Sequence, residues 1–433
     1  MLRARGLNGE TPLQNEGGII MSEKFDALIA NKAESARYIV EEITHICKNM
    51  PKRSPGSEGE RIASEYMADV LKDDCGCDHV QVETFKENPG SFYGWIWITF
   101  SLMFIGLILI FVGAPIIAVP LMLFGWVIAL LQFGTYKKFI DKLFPELEGT
   151  NVTAIKSCTG TVERRIFFNG HSDAAWEWPV NYALGGVGFE GHAIISAVGT
   201  IFYIVIAIIA MAKGGLFAAP EGTLKTVALW GLLFTPFWVG MYFMWNRHRV
   251  VDGANDNLSG CYMGIAILKA MKDAGIDLEH TEVGVILTGS EEAGLRGAKA
   301  WSEAHKDDFK DVPTFIYSYD TIFDPKYLMV NYRDLNATVK ADKDVSDLFM
   351  EAAQELNLQC KKGMVPPLGG ATDNAAFAQG GFRSTGITGL NHKLEDYYHT
   401  RRDTYDNMNE QGLADCFAAS VRVLDKFDQG EKQ

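Results

Sequence analysis

Seven residues stand at or just beyond the ends of apolar or Gly-rich runs: His171, Asp173, Asp256, Glu291, Glu292, Asp320 and His399. Five of them, His171, Asp256, Glu292, Asp320 and His399, are of types that could hold two metal ions, leaving Glu291 free to act as a base. The chemistry open to such a set is hydrolysis of an amide by metal-activated water.

Each segment also has a plainer reading. In Arg165-Ile-Phe-Phe-Asn-Gly-His171-Ser-Asp173 an apolar stretch breaks at Gly170 and delivers a histidine with an acid two residues on. Alternate residues of an extended segment share a face, so Asp173 is placed to orient the imidazole; short His-x-Asp patterns also arise by chance. Asp252-Gly-Ala-Asn-Asp256-Asn-Leu-Ser-Gly260 feeds a helical pattern, where Asp256 or Ser259 could simply cap the helix. Val283-Gly-Val-Ile-Leu-Thr-Gly-Ser-Glu291-Glu292 ends a buried-strand pattern in paired acids, costly unless a cation meets them or the turn is solvated. Thr314-Phe-Ile-Tyr-Ser-Tyr-Asp320 and Asp396-Tyr-Tyr-His399 complete the set, and five such segments in this order are far more specific than any one.

In this order the segments resemble the di-zinc exopeptidases of clan MH, the family of bacterial leucyl-type aminopeptidases, glutamate carboxypeptidases and glutaminyl cyclases. The resemblance runs from Arg53 to Asn407 with two insertions. It includes Arg53-Ser-Pro-Gly-Ser-Glu58, Thr150-Asn-Val-Thr153, Gly369-Gly-Ala-Thr-Asp373, Tyr398-His399-Thr400 and Asp403-Thr-Tyr-Asp-Asn407. It implies two Zn2+ per chain: His171 and Asp320 on one, Glu292 and His399 on the other, Asp256 bridging. Glu291 is then the general base, Asp173 orients His171, and Tyr397 or Tyr398 either assists the oxyanion or packs. No metal-ligand position is substituted, which tells against metal-free relatives and single-zinc cyclases. Asn374 departs from many relatives and bears on the pocket wall.

The elements that must position these residues alternate. Ser22 to Asn49 and Glu58 to Asp73 read as helical; Val80 to Phe85, Asn151 to Ile155, Ile166 to Asn169, Val283 to Thr288 and Thr314 to Tyr319 read as strands. That alternation predicts an α/β three-layer sandwich around a mostly parallel or mixed sheet, with the site at the strands' carboxyl ends. Residues 1–21 read as a tail, with Met21 an alternative start. The stretch 88–136 holds no Asp, Glu, Lys or Arg and is broken at Gly113-Ala-Pro115, room for spans Phe92 to Gly113 and Ile116 to Thr135. A second pair runs Ala193 to Ala212 and Thr226 to Trp245. The expected division is a peptidase domain of residues 22–90, 136–188 and 246–433, with transmembrane hairpins at 91–135 and 189–245. Buried helices or an oligomerisation surface are the alternatives for these stretches, but their length and the tryptophans toward their ends favour a bilayer.

Lys137, Lys138, Arg247 and Arg249 flank the spans, and no signal peptide is evident, so the expected placement is a multi-pass cell-membrane protein whose catalytic domain faces the cytoplasm. Seven cysteines without zinc-finger spacing fit a reducing compartment. The net charge of -14 disfavours nucleic acid. Trp176-Glu-Trp178-Pro179 reads as a pocket wall, an interfacial anchor or plain packing, and Glu177 as a candidate partner for a substrate α-amine. The expected activity is that of an aminopeptidase on apolar or membrane-derived peptides. The alternatives are an amidohydrolase, cyclase or carboxypeptidase taking acylated substrates, and a silent membrane scaffold. Self-association is left open.

Overall fold

The computed structural model describes residues 13–432 apart from Leu368 and His392, with side chains from Met21 onward. Residues 1–12 of the expected tail lie outside the described residues. The remainder is helical: Leu13–Ala30 begins before Ser22, and Met21 packs against the core.

The strands are β1 His79–Glu87, β2 Leu147–Lys156, β3 Arg164–His171, β4 Trp176–Glu177, β5 Asn246–Val250, β6 Thr281–Thr288, β7 Thr314–Ile322, β8 Met329–Asn331, β9 Arg333–Asp334, β10 Val339–Lys340, β11 Lys361–Gly363 and β12 Arg383–Gly389. Eight of them form one mixed sheet in the order β1-β2-β6-β3-β7-β12-β8-β11. Its centre, β6-β3-β7-β12, is parallel, whereas β1, β2 and β8 run antiparallel to neighbours.

Period-two patterning makes the layers. In β3, Ile166 and Phe168 face one side and Phe167 the other; in β7, Phe315 and Tyr317 oppose Ile316. The first side is covered by helices Lys32–Asn49, Glu58–Asp73, Ser259–Asp273, Lys343–Glu355 and Glu410–Asp428. The second side meets Arg296–Ala304 and Asp373–Gln379, and its core runs on without a break into the apolar helices of the insertions. At Gly170 a Cβ would stand 2.3 Å from the Cys261 backbone nitrogen, so only glycine lets helix Ser259–Asp273 seat against β3.

Among the described residues four helical stretches are long and apolar enough to cross a membrane: Ser91–Phe111, Pro115–Gly134, Pro179–Gly214 and Gly222–Met241. Two differ from the sequence expectation. The third begins at Pro179, well before Ala193, and turns at Gly185, whose φ of 69° is left-handed. The fourth is broken into Gly222–Trp230 and Thr235–Met241 around a 3₁₀ turn, because Pro236 has no N–H for a helical bond. The outer faces are apolar, with Ile108 62%, Val112 70% and Leu233 67% exposed. At the far tips Gly113 and Phe217 meet, since a Cβ at Gly113 would lie 3.4 Å from the Phe217 carbonyl oxygen.

Candidate metal centre

Parallel strands β3, β6 and β7 end on the same edge of the sheet, and that register collects the expected residues. His171 closes β3 opposite Thr288, the last residue of β6, and Asp320 lies near the end of β7. Asp256 comes from the bend 254–258 that leads into helix Ser259–Asp273. Asn257, not Asp256 or Ser259, does the capping there: its Oδ1 accepts the N–H of Gly260 at 3.0 Å. Glu291 and Glu292 follow β6 in a tight turn opened by Ser290 at φ 54°, and His399 arrives from the C-terminal loops.

Asp256 sits between the two histidines, Oδ1 at 3.2 Å from His171 Nε2 and Oδ2 at 3.0 Å from His399 Nε2. Glu292 Oε1 is 3.1 Å from His399 Nε2. Among the described residues three groups of potential donor atoms each fall within 4.8 Å: His171/Asp256/Asp320 and Asp256/Glu292/His399, which share Asp256, and His171/Glu291/Glu292. Glu291 Oε2 lies 3.9 Å from His171 Nε2. All seven expected residues therefore converge.

Surrounding polar groups fix this arrangement. Asp173, fully buried, has Oδ1 3.3 Å from His171 Nδ1, and it also accepts the N–H groups of Glu291 and Glu292 at 3.0 and 3.1 Å. Asp403 accepts the N–H groups of Asn255 and Asp256 at 2.8 and 3.1 Å. Arg53, 2% exposed, donates to the carbonyls of Ser172 and Gly253, tying the end of β3 to the Asp256 bend. Neither role of Asp403 or Arg53 was derivable from spacing, although both stand in motifs the sequence singles out. Glu60 was missed altogether; it accepts from Ser290 N and Oγ and from Thr150 N, and its only signal was an acid inside an otherwise apolar helical face.

So many buried acids strain one another. Burial, with the charges of Glu292 and Asp320, pushes Glu291 well above the usual carboxylate range against the pull of His171. Burial likewise raises Glu292 and lifts Asp320 to about 7. Asp256 goes the other way despite burial, because both histidines hold its charge. Burial disfavours protonated His399, yet Glu292 and Asp256 outweigh it and push it to about 10. Asp256 Oδ2 and Glu292 Oε1 are buried acceptors that take no hydrogen bond. Orphaned carboxylate oxygens among crowded acids, facing imidazole nitrogens, fit divalent cations with N/O preference such as zinc.

The remaining expectations divide. Tyr398 lines a cavity of about 70 Å³ together with Asp320, Met329, Met364 and Leu390, whereas Tyr397 turns its hydroxyl to Glu395. Asn374 is fully buried and donates to Asp334 at 2.9 Å, so it holds structure and does not line that cavity. Trp178 is a wall of the centre: its ring is 4.1 Å from that of His399, and its backbone N–H donates to the His399 carbonyl at 2.8 Å. Glu177 is not placed to meet a substrate amine, because both its oxygens take Arg401, at 2.5 and 2.9 Å.

Residues 240–424 match the sequence model of Peptidase family M28. No curated protein matches the sequence at a significant level. Among solved structures, BSAP, a zinc aminopeptidase from Bacillus subtilis, is similar at 11% identity and a TM-score of 0.53, over 92% of this chain and 95% of that one. The aminopeptidase from Aneurinibacillus sp. strain AM-1 follows at 14% identity and 0.51, over 91% and 93%. Bacteroides thetaiotaomicron glutaminyl cyclase has 12% identity and 0.51, over 90% and 96%. At these identities the likeness is one of fold.

Proposed function

We propose that this chain, whose residues 240–424 match Peptidase family M28, is a membrane-anchored aminopeptidase that works with two zinc ions. The observation that carries this is the pair of donor groups sharing Asp256. His171, Asp256 and Asp320 would hold one ion, and Asp256, Glu292 and His399 the other. Zinc bound there supplies a Lewis acid for the scissile carbonyl and lowers the pKa of the attacking water.

The chain's own groups do the rest. Glu291, beside His171 but outside both shared sets, takes the proton of the attacking water and returns it to the departing amine. Asp173 keeps that base aimed by holding its backbone N–H while it orients His171. Trp178 and Tyr398 flank His399 and exclude water from one side. The cavity beside Asp320, walled by Met329, Met364 and Leu390, suits an apolar side chain of modest size.

The peptidase part comprises residues 22–90, 136–188 and 246–433, and the hairpins 91–135 and 189–245 embed it in the cell membrane. Lys137, Lys138, Arg247 and Arg249 lie at the catalytic ends of the spans, which favours a cytoplasmic active site. Substrates are apolar or membrane-derived peptides reached at the bilayer surface.

The test pairs metal content by mass spectrometry on detergent-purified protein with release of amino acids from unblocked and N-acetylated peptides. About two zincs per chain and cleavage of the unblocked peptides only are expected. Cleavage confined to acylated substrates would replace the aminopeptidase by an amidohydrolase, and absence of metal would sink the di-zinc reading.

A further inference from the structure

Where the first and fourth spans return to the catalytic part, Trp97, Pro179, Phe243, Trp245, Arg247 and His248 line an open cavity of about 360 Å³. Trp97 lies in the second turn of span Ser91–Phe111, and Phe243 and Trp245 follow directly on Met241, the last residue of the fourth span. The cavity therefore sits at the height where apolar helix gives way to polar chain, the level of lipid headgroups.

Its walls have two characters. Trp97 and Trp245 are stacked at 5.1 Å, and Phe243 is 63% exposed. Against them stands β5, Asn-Arg-His-Arg-Val, whose central residues 247–249 are exposed. The Arg247 guanidinium lies 5.7 Å from the Trp97 ring centroid and its Nε donates to His248 Nε2 at 3.1 Å. Among the described residues Arg247 makes no ion pair, whereas Arg249 lies 3.7 Å from Glu177. In a chain of net charge -14, an exposed arginine without an acid, held over an aromatic floor at the membrane surface, is complementary to an anion that brings its own apolar tail.

We propose that this cavity binds an anionic phospholipid, the phosphate on Arg247 and His248 and the acyl chains along Phe243 and Trp97. The arginine fork suits a phosphate diester, and the volume is in the range of ordinary ligand sites. The site adjoins the metal centre. Trp245 stacks on Tyr93 at 5.3 Å and meets Trp176 edge-on at 5.4 Å, and Pro179 follows Trp178, the wall against His399. A bound lipid thus presses on the segment that positions His399, and the lipid composition of the membrane sets how firmly that wall is held. The proposal rests on the membrane-embedded part of the functional reading, not on the peptidase chemistry.

The experiment is native mass spectrometry of the delipidated full chain titrated with phosphatidylglycerol or phosphatidylcholine. One cation at a membrane surface corresponds to a preference of about fivefold. Phosphatidylglycerol is expected to bind tighter by that factor, and Arg247→Gln is expected to abolish the difference while Lys326→Gln, at an exposed site outside the cavity, preserves it. Equal binding of the two lipids, or an unchanged preference in Arg247→Gln, overturns the proposal. So does full displacement by glycerol phosphate at equal concentration, which would mean a site for the headgroup alone. Carbonate extraction of the starting membranes is read separately: release of the protein there defeats the membrane reading itself, whatever the lipid titration gives.

Discussion

Each oxygen of Asp173 accepts one backbone N–H of the Glu291-Glu292 turn, and the same carboxylate faces His171 Nδ1. An amide cannot do all three, since its NH2 would point at a donor. Asp173→Asn is therefore expected to weaken zinc binding about 10- to 100-fold with the fold intact, checked by chelator competition; wild-type affinity would show that the turn holds itself. Glu291→Gln removes the proposed base and no proposed ligand, so it should keep two zincs and lose about 10²- to 10⁴-fold in turnover. Near-normal activity would remove Glu291 from its role. Glu87 carries a pH signature of its own. Burial pushes it up to about 8 although the Ser290 hydroxyl partly holds its charge. Its folded pKa lies above the unfolded value of 4.5. Its contribution is thus full below about pH 4.5, declines as the unfolded chain ionises, and is lost by about pH 8, a swing of at most about 5 kcal/mol. Thermal unfolding scans from pH 5 to 8 should show a falling midpoint that flattens in Glu87→Gln; parallel curves would mean that Glu87 is ionised in the folded protein.

At the scale of elements, the first hairpin is fastened to the turn that carries Glu291. Asp141 Oδ1 accepts from Ser91 Oγ at 2.7 Å, Gln132 Nε2 at 2.9 Å and Arg296 Nη2 at 3.0 Å. These residues come from the start of one span, the end of the next and helix Arg296–Ala304, and Arg296 also donates to the Ala293 carbonyl. Asp141→Ala strands a buried guanidinium and should cost about 3–5 kcal/mol. Pairing it with Arg296→Met should recover much of that in thermal unfolding in detergent, and additive losses would show that the two groups are not coupled. None of this was legible in the sequence, because its partners are brought together only by packing. What was legible had short-range causes. The apolar runs of β3, β6 and β7 end in His171, Glu291-Glu292 and Asp320, so strand and site were read from one pattern. By contrast, β12 is Arg-Ser-Thr-Gly-Ile-Thr-Gly, polar in composition and buried by its neighbours, and β8 and β11 are three-residue strands without a periodicity to read. The break in the fourth span was missed because composition over about 20 residues does not register one proline.

For the whole molecule, what decides between a membrane protein and a soluble one with a sticky face is where the two ends of the insertions lie. Both hairpins start and finish against the catalytic part, and their tips meet each other at Gly113 and Phe217, so one bilayer can accommodate all four spans with both tips emerging together. An ordinary buried helix has no need of such an arrangement, nor of outward residues such as Ile108 and Leu233. The cysteines supply a reporter without engineering. All seven lie outside 91–135 and 189–245, and Cys47, Cys158 and Cys360 are partly exposed thiols. On the proposed orientation, with the catalytic part in the cytoplasm, a membrane-impermeant maleimide applied to intact cells should leave the wild-type protein unlabelled and should label it after permeabilisation. Leu216→Cys, at the tip and 57% exposed, should be labelled in intact cells. Labelling of the wild type without permeabilisation would turn the orientation over while keeping the hairpins. Protection of both proteins until permeabilisation would mean that the tips never reach the far side, and the four apolar helices would then have to be explained as an interface between protein surfaces.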